Sequence, residues 1–523
     1  MALTQTHKRV GIPGLAACLA AGLALALTAC APAGSGKDAK GDAAPGKFVV
    51  ARTADIDQLD PHKATAFQTI ATLGLVYDRL VTVDKTGRLT PGLAEKWTAE
   101  DGGRTLTFTL RKGVTWHDGE AFDSADVKAS LDRILEEKTG AVARSNLTVI
   151  DGVDTPDATT VKLNLTRPST ALLYALTSVN AAILDEADIE KDTVGKEPDG
   201  TGPFAWKSWN QGQNVTLTGN PKYFGGAPAI KTLEFRTIPA ESSILAGMKA
   251  GAFQLGLLSD PSVAQQATGN DAFRLVKQPS LAYHALMLNG RKGPLEERAV
   301  RQAIACAIDP GQVVQTAAYG DGAATGPITS PAYRYSTTEG LPCTPGNAQQ
   351  AKDLLAQGGH PDGVTLETIV MTDGYSTAVA EAQNVQAQLA KIGVKLELKQ
   401  LTTAPYVKAW VAADFDAAIA LNGGSYDPYL MYGRYFTDGG SLAKAAGLDS
   451  PKISELLARG DEATDDATRQ ATYKELQREL LTESPWAWMS QSADYYLVGT
   501  GVEGFEARPD QALSSLASAK NAG

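Results

Sequence analysis

The chain has 523 residues, 43% of them hydrophobic and 20% charged, with a formal net charge of −11. That length exceeds one compact core and predicts two or three lobes, while the composition excludes a disordered chain and a polytopic membrane protein. The acidic balance, with no Lys/Arg-rich run, excludes nucleic acid and an anionic membrane face as partners and reads as solubility.

The N-terminus is the most specific local signal. His7, Lys8 and Arg9 form a short basic region, and Leu15 to Leu27 is an apolar run. The run is short against the roughly 20 residues a spanning helix needs and fits the centre of a signal peptide. It ends in Leu27-Thr28-Ala29-Cys30, an apolar residue, two small ones and a cysteine, which matches a bacterial lipobox. Residues 1–29 are therefore expected to be cleaved, and Cys30 to carry a diacylglycerol and palmitate, since two or more acyl chains anchor a protein firmly. The alternative is ordinary cleavage beside a chance cysteine. Residues 30–46, rich in Ala, Gly, Pro, Lys and Asp, read as a flexible tether. Of the four cysteines, Cys18 leaves with the signal peptide and Cys30 is spent on lipid. Cys306 and Cys343 remain, and outside the cytosol they are expected to form a disulfide, with two buried free thiols as the alternative. No CxxC occurs, so a zinc ribbon or redox motif has no support.

After the tether, Lys47 to Ala51 reads as a short strand and Gln68 to Leu80 as a helix. Thr105 to Leu110 alternates strictly, as a half-buried strand does. Asp123 can cap a helix through Val127, Leu131, Ile134 and Leu135, and Val161 to Leu165 is a further strand. Trp97, Phe108 and Trp116 read as core anchors, and His117-Asp118-Gly119 as a turn. In the second half, Glu296 to Ile308, Ala348 to Ala356 and Ala378 to Ile392 read as helices. The last passes through Gly393 into a strand, Val394 to Leu398, a βαβ order that predicts a parallel sheet. Ser454 to Leu457 and Ala471 to Leu481 are helical.

Residues 89–134 carry a long motif: P-x-L-A-E-x-W, then T-F-x-L-R-x-G-V-x-W-H-D-G, then F-x-S-A-x-V. It closely resembles the signature of the family 5 extracellular solute-binding proteins, which bind peptides, nickel chelates and related solutes. GTGPF at 200–204 resembles that family's crossing segment, and NPKYFGGAPAI at 220–230 its Asn-Pro-x-Tyr turn. VRQAIACAID at 300–309 and YKELQRELLTESPWAW at 473–488 follow in the family's order. The resemblance implies an α/β, two-lobed, periplasmic-binding-protein-like (class II) fold with an extra inserted subdomain and two crossing strands. Residues 47–88, 196–285 and 488–523 would form the hinge-side part of lobe I, 89–195 its inserted subdomain and 286–487 lobe II. It implies a monomer on the outer face of the cytoplasmic membrane, serving an ABC importer as its substrate-binding component, with the permease and a small solute as partners and no cofactor.

Two rival classes are a surface sensor of the same fold and a secreted hydrolase. For the hydrolase, no HExxH or GxSxG occurs, no two His sit at metal-ligand spacing, and Gly423-Gly424-Ser425-Tyr426 lacks the second glycine. No catalytic or metal-binding residue is expected. The resemblance places solute contacts in three segments: the loop after Leu59-Asp60-Pro61, reaching Thr65, Phe67 and Gln68; the strand end 371–375, with Asp373 and Tyr375; and Asn422 to Pro428. In the last, Asn422 stands for the family's Trp and Ser425 for the acid that holds a peptide ammonium. Tyr426 offers a stacking face, and Asp427 either replaces that acid or caps the turn. Asp373 occupies the place of the Arg that pairs a dipeptide carboxylate. These departures predict weak binding of simple di- and tripeptides and a preference for cationic or hydroxyl- and amide-rich solutes, because an unpaired buried charge costs several kcal/mol.

Overall fold

A computed structural model describes residues 47–336 and 338–522. The expected signal peptide and tether, Cys30 included, lie outside the described residues. One hydrogen-bonded path of strands runs through the protein. Its order is Val394–Leu401, Val364–Met371, Ala417–Asn422, Phe273–Leu288, Trp486–Gly499, Leu255–Leu258, Lys47–Arg52, Thr232–Thr237, Asn214–Gly219, Phe204–Asn210. Two long antiparallel strands, Phe273–Leu288 and Trp486–Gly499, join its two halves and pair from Phe273 opposite Gly499 to Met287 opposite Trp486. Their register breaks between Pro279 and Tyr283. Pro279 has no N–H to give the ladder, and such an irregularity lets a strand bend where the lobes meet.

In the first half, Lys47–Arg52 lies parallel to Thr232–Thr237 and Leu255–Leu258. Phe48 and Val50 pack with Phe204, Leu217 and Phe235 on one face, while Val49 and Ala51 meet Ile244, Met248 and Tyr495 on the other. A strand buried on both faces needs an unbroken apolar run, which is why FVVA does not alternate. The intervening segment carries a four-stranded antiparallel sheet in the order Ala94–Glu100, Thr105–Leu110, Thr160–Leu165, Ile150–Asp157. Leu106, Phe108 and Leu110 point into its core beneath Val127, Leu131 and Ile134 of the helix Ser124–Leu135. Asp123 and Asp126 form a reciprocal cap at that helix's start, an arrangement that contributes about 1 kcal/mol.

In the second half, Val364–Met371 and Val394–Leu401 are parallel, Val364 opposite Val394, with the helix Ala378–Ala390 between them in sequence. This is the βαβ unit expected from the Gly393 turn. The helix Arg298–Ala307 lays Val300, Ala303 and Ile304 on the same core.

Two expectations need correction. The helix expected over 68–80 spans only Phe67–Leu73. Beyond Gly74 the backbone serves another partner: Leu75 O and Val76 O accept hydrogen bonds from Phe204 N and Gly202 N. A Cβ on Gly200 or Gly202 would lie 2.0 or 2.5 Å from the Val76 and Leu75 oxygens, so the GTGPF glycines permit this close approach. The same contact shows that 200–204 is not a crossing between lobes. It leads from the inserted part into the edge strand Phe204–Asn210, and the crossings are Phe273–Leu288 and Trp486–Gly499.

Candidate functional site

In open α/β sheets, ligands gather outside the carboxyl ends of the parallel strands. Here those ends are Arg52, Thr237 and Leu258 in the first half and Met371, Leu401 and Asn422 in the second. A cavity opens at the first set. Arg52, Thr53, Phe67 and Gln68 line it together with Leu257, Asp494, Tyr495 and Tyr496. Phe67 is 61% exposed, the most open large apolar side chain among the described residues, so it is not a core anchor. Gln68 lines the cavity beside it, and its carbonyl accepts from Arg52 Nη1 at 3.1 Å.

Arg52 and Asp494 were not singled out by sequence reasoning. Arg52 is buried, with its guanidinium 4.7 Å from the Phe235 ring centre and Nη1 donating to Thr72 Oγ1 at 2.7 Å. Its Nε and Nη2 have no hydrogen-bond partner. Burial pulls its pKa down to about 10, against the opposing pull of Asp55. Asp494 accepts from Gln511 Nε2 at 2.7 Å through Oδ1, and its buried Oδ2 has no partner. Burial pushes its pKa up to about 7, with the bond from Gln511 acting the other way. Neither residue sits in a motif, so no sequence signal would have found them.

The expected contacts in the second half divide by burial. Tyr426 is buried with its hydroxyl unpartnered, and its ring lies where a Cβ on Gly87 would be 2.6 Å away. Gly87, at φ +87, sits in the turn between Val81–Val83 and Leu89–Pro91, so Tyr426 reaches the first lobe. Ser425 is half-buried, and its Oγ accepts from Asp427 N at 3.2 Å. Tyr375 is half-buried with an unpartnered hydroxyl and stands edge-on to His284 at 5.2 Å. Asp373 is exposed and accepts through Oδ1 from Thr403 N and Oγ1 at 2.7 and 2.8 Å, stabilising the start of the helix Thr403–Ala412. Asn422 is buried and accepts from Tyr435 Oη. Asp427 is fully buried. One oxygen caps the helix Pro428–Phe436 through Tyr429 N and Leu430 N, and the other pairs with Arg469. Asn422 and Asp427 thus hold the segment in shape from inside the lobe. Cys306 and Cys343 meet as a disulfide with Cα atoms 5.9 Å apart.

A second long-range contact ties residues 167–171 to the helix Pro451–Glu462. Asp461, fully buried, accepts from Arg167 Nη1 at 2.5 Å, Ser169 Oγ at 2.8 Å and Ala171 N at 2.9 Å. Thr170 Oγ1 donates to Ala463 O at 2.8 Å, and Arg167 Nη2 reaches Tyr429 Oη at 3.2 Å.

Two constellations bear on enzyme readings. His284 Nε2 lies 2.7 Å from Ser492 Oγ and its Nδ1 2.9 Å from Glu381, a Ser–His–Glu chain drawn from distant parts of the sequence. Acyl transfer also needs a space for the carbonyl beside the nucleophile. Ser492 is not among the residues that line the cavity at the strand ends, and Glu381 is further engaged by Thr377 Oγ1. The chain satisfies a buried histidine where the long strands cross. His117 is likewise structural: Nε2 donates to Gly202 O at 2.9 Å and Nδ1 accepts from Gly200 N. Asp118, Asp185 and Asp199 lie close together, and burial with the neighbouring acids pushes Asp199 up to about 7, so protonation relieves their repulsion.

Comparison with known proteins agrees with this architecture. Residues 88–442 match the model of the bacterial extracellular solute-binding proteins, family 5 middle, and the chain belongs to that family: it is a solute-binding protein. The glutathione-binding protein GsiB of Pectobacterium atrosepticum is 26% identical over 522 residues, covering 95% of this chain and 96% of the relative. The structure of AgaA from A. tumefaciens R10 in complex with agropinic acid aligns with a TM-score of 0.76 at 27% identity, covering 91% of this chain and 99% of AgaA. CtaP from Listeria monocytogenes shares the fold, with a TM-score of 0.81 at 22% identity over 91% of this chain and 99% of CtaP. Among the described residues no helix is long and apolar enough to cross a membrane.

Proposed function

We propose that the protein is the lipid-anchored, extracellular substrate-binding component of an ABC importer, which captures a small peptide-like or amino-acid-derived solute between two closing lobes and hands it to the permease. The observation that supports this best is the cavity at the strand ends, where Phe67 and Gln68 stand beside buried polar atoms that lack partners. A solute that touches both lobes only in the closed state shifts the open–closed equilibrium by that difference in contact. Lobe I comprises 47–88, 196–285 and 488–523 with 89–195 inserted, and lobe II 286–487. Tyr375, Ser425 and Tyr426 serve as the solute contacts of lobe II. The cationic preference rested on Asp373 facing the solute, and its engagement with Thr403 removes that ground. The expected weak binding of simple di- and tripeptides keeps its other ground, Ser425 in place of the ammonium-holding acid, so small peptides are tested beside hydroxyl- and amide-rich solutes.

The test uses cells and purified protein. Solute released by denaturation should be chemically unchanged, and the radius of gyration should fall on rebinding. Cys30→Ala should move the protein from the membrane to the soluble fraction. Steady consumption of solute by the protein alone, or unchanged membrane attachment of Cys30→Ala, would overturn the corresponding part.

A further inference from the structure

The loop that leads to Phe67 is held by residues far along the chain. His62 is fully buried, and each of its polar groups has a partner. Its backbone N–H donates to Asp60 Oδ1 at 3.0 Å, and its carbonyl accepts from Val142 N at 2.9 Å. On the ring, Nε2 donates to Ala182 O at 2.9 Å and Nδ1 accepts from Arg133 Nη1 at 2.8 Å. A carbonyl only accepts and a guanidinium only donates, so the ring is neutral with its proton on Nε2. Arg133, in the last turn of the helix Ser124–Leu135, also grips the buried Asp60, Nη1 to Oδ1 at 3.2 Å and Nη2 to Oδ2 at 2.6 Å. Asn180 Nδ2 donates to Pro61 O at 2.7 Å and to Ala64 O at 2.8 Å. Asp60, Lys63 and Arg133 are the charged groups that act on the ring; burial holds its pKa below the ordinary histidine range, and Arg133 acts the same way.

The helix Phe67–Leu73 that follows has seven residues, no acid in its first turn, and no side-chain cap from Ala66. So short a helix has little stability of its own. Arg52 and Asp57 hold its inner side through Gln68 O, Thr72 Oγ1 and Thr69 Oγ1, while the first turn, with Phe67, continues directly from the clamped Ala64. Burying an ion pair in place of apolar side chains gains little stability, so what Arg133 and Asp60 supply here is a fixed geometry. We propose that Arg133 is a positioning residue for solute binding: through Asp60 and the neutral His62, and together with Asn180, it sets the loop 59–64 and with it the place of Phe67 and Gln68 at the strand-end cavity. This rests on that cavity being where solute binds.

The solute-free protein tests the mount first. Hydrogen exchange read by mass spectrometry should run about tenfold faster over residues 57–73 in Arg133→Gln, with the strand Lys47–Arg52 and the four-stranded sheet unchanged. Arg133→Lys should recover part of the protection. Nitrogen-15 spectra should show His62 Nδ1 still unprotonated about one pH unit below the ordinary histidine value of about 6.5. In Arg133→Gln it should protonate at higher pH, because the facing cation is gone and Asp60 stays. Affinity is then measured by calorimetry with the tightest member of a pool of serine- and glutamine-rich tetrapeptides. Arg133→Gln should weaken it about tenfold in the native background and less than about threefold beside Phe67→Ala, since the effect runs through that ring. Circular dichroism and thermal midpoints establish that the variants fold. Should Arg133→Gln prove unstable, Asp60→Asn combined with Arg133→Gln carries the exchange and affinity measurements, with neither charge left alone. Exchange that rises evenly along the chain, an unmoved Nδ1 titration, or an equal loss of affinity with and without Phe67 refutes the positioning role while leaving solute binding intact. Failure of every tetrapeptide to bind refutes the peptide reading of the cleft, and the exchange and nitrogen-15 results then decide the mount by themselves.

Discussion

Asp427 spends one carboxylate oxygen on the start of the Pro428–Phe436 helix and the other on Arg469, which leaves nothing for a solute. Asp494 is the opposite case, a carboxyl with one oxygen free in a place where charge is poorly solvated. Its pKa stands near 7 when folded, against about 4 for an unfolded Asp. Between those values the folded state holds a proton that the unfolded state has released, so its contribution to stability is largest below about pH 4, falls as pH rises, and levels off above about pH 7. Urea unfolding of the solute-free protein across that range should show a shallower loss of stability with rising pH in Asp494→Asn than in the native protein. Parallel profiles would place the Asp494 carboxyl in contact with solvent.

At the scale of elements, the disulfide ties the last turn of the Arg298–Ala307 helix to the loop that precedes the helix Ala348–Gln357. The two cysteines are 37 residues apart, and closing a loop of that size in the unfolded chain is worth about 3–4 kcal/mol. Leu341 and Pro345, on either side of Cys343 in sequence, line a second cavity with Trp486 and Trp488 of the long strand. Replacing both cysteines by Ala should lower stability by about that amount while solute affinity changes little, because the cleft residues keep their partners. Denaturant midpoints and calorimetry check both halves, and a double variant as stable as the native protein would show that the bridge is not formed.

At the scale of the whole molecule, the lobes touch through the buried Asp461 carboxylate, which receives Arg167, Ser169 and Ala171 from the inserted part. On the lobe boundaries and closure proposed above, this contact forms only when the lobes approach and adds to closure without touching solute. Hydrogen bonds to a charged group are worth about 1.5–3 kcal/mol, and Asp461→Ala should accordingly weaken solute affinity about tenfold or more and enlarge the radius of gyration of the solute-free protein. Small-angle scattering with calorimetry tests this. Unchanged values in both would mean that the clasp does not govern closure.

The family, the βαβ unit and the capped helix at Ser124 were legible in the sequence because each rests on local chemistry. The 89–134 motif, the Gly393 turn and the Asp123–Asp126 cap all lie within a few dozen consecutive residues. Phe67 and Gln68, expected as solute contacts after Leu59-Asp60-Pro61, line the cavity at the strand ends. The helix expected over 68–80 stopped at Leu73 because backbone from 202–204, more than a hundred residues away, takes the carbonyls that follow. Asp373, Asn422 and Asp427 read as ligand groups in a linear string, and only the folded chain engages them with Thr403, Tyr435 and Arg469. Arg52 and Asp494 had no motif at all. An unpaired edge on a guanidinium or a carboxyl depends on everything that fails to reach it, and only the folded chain decides that.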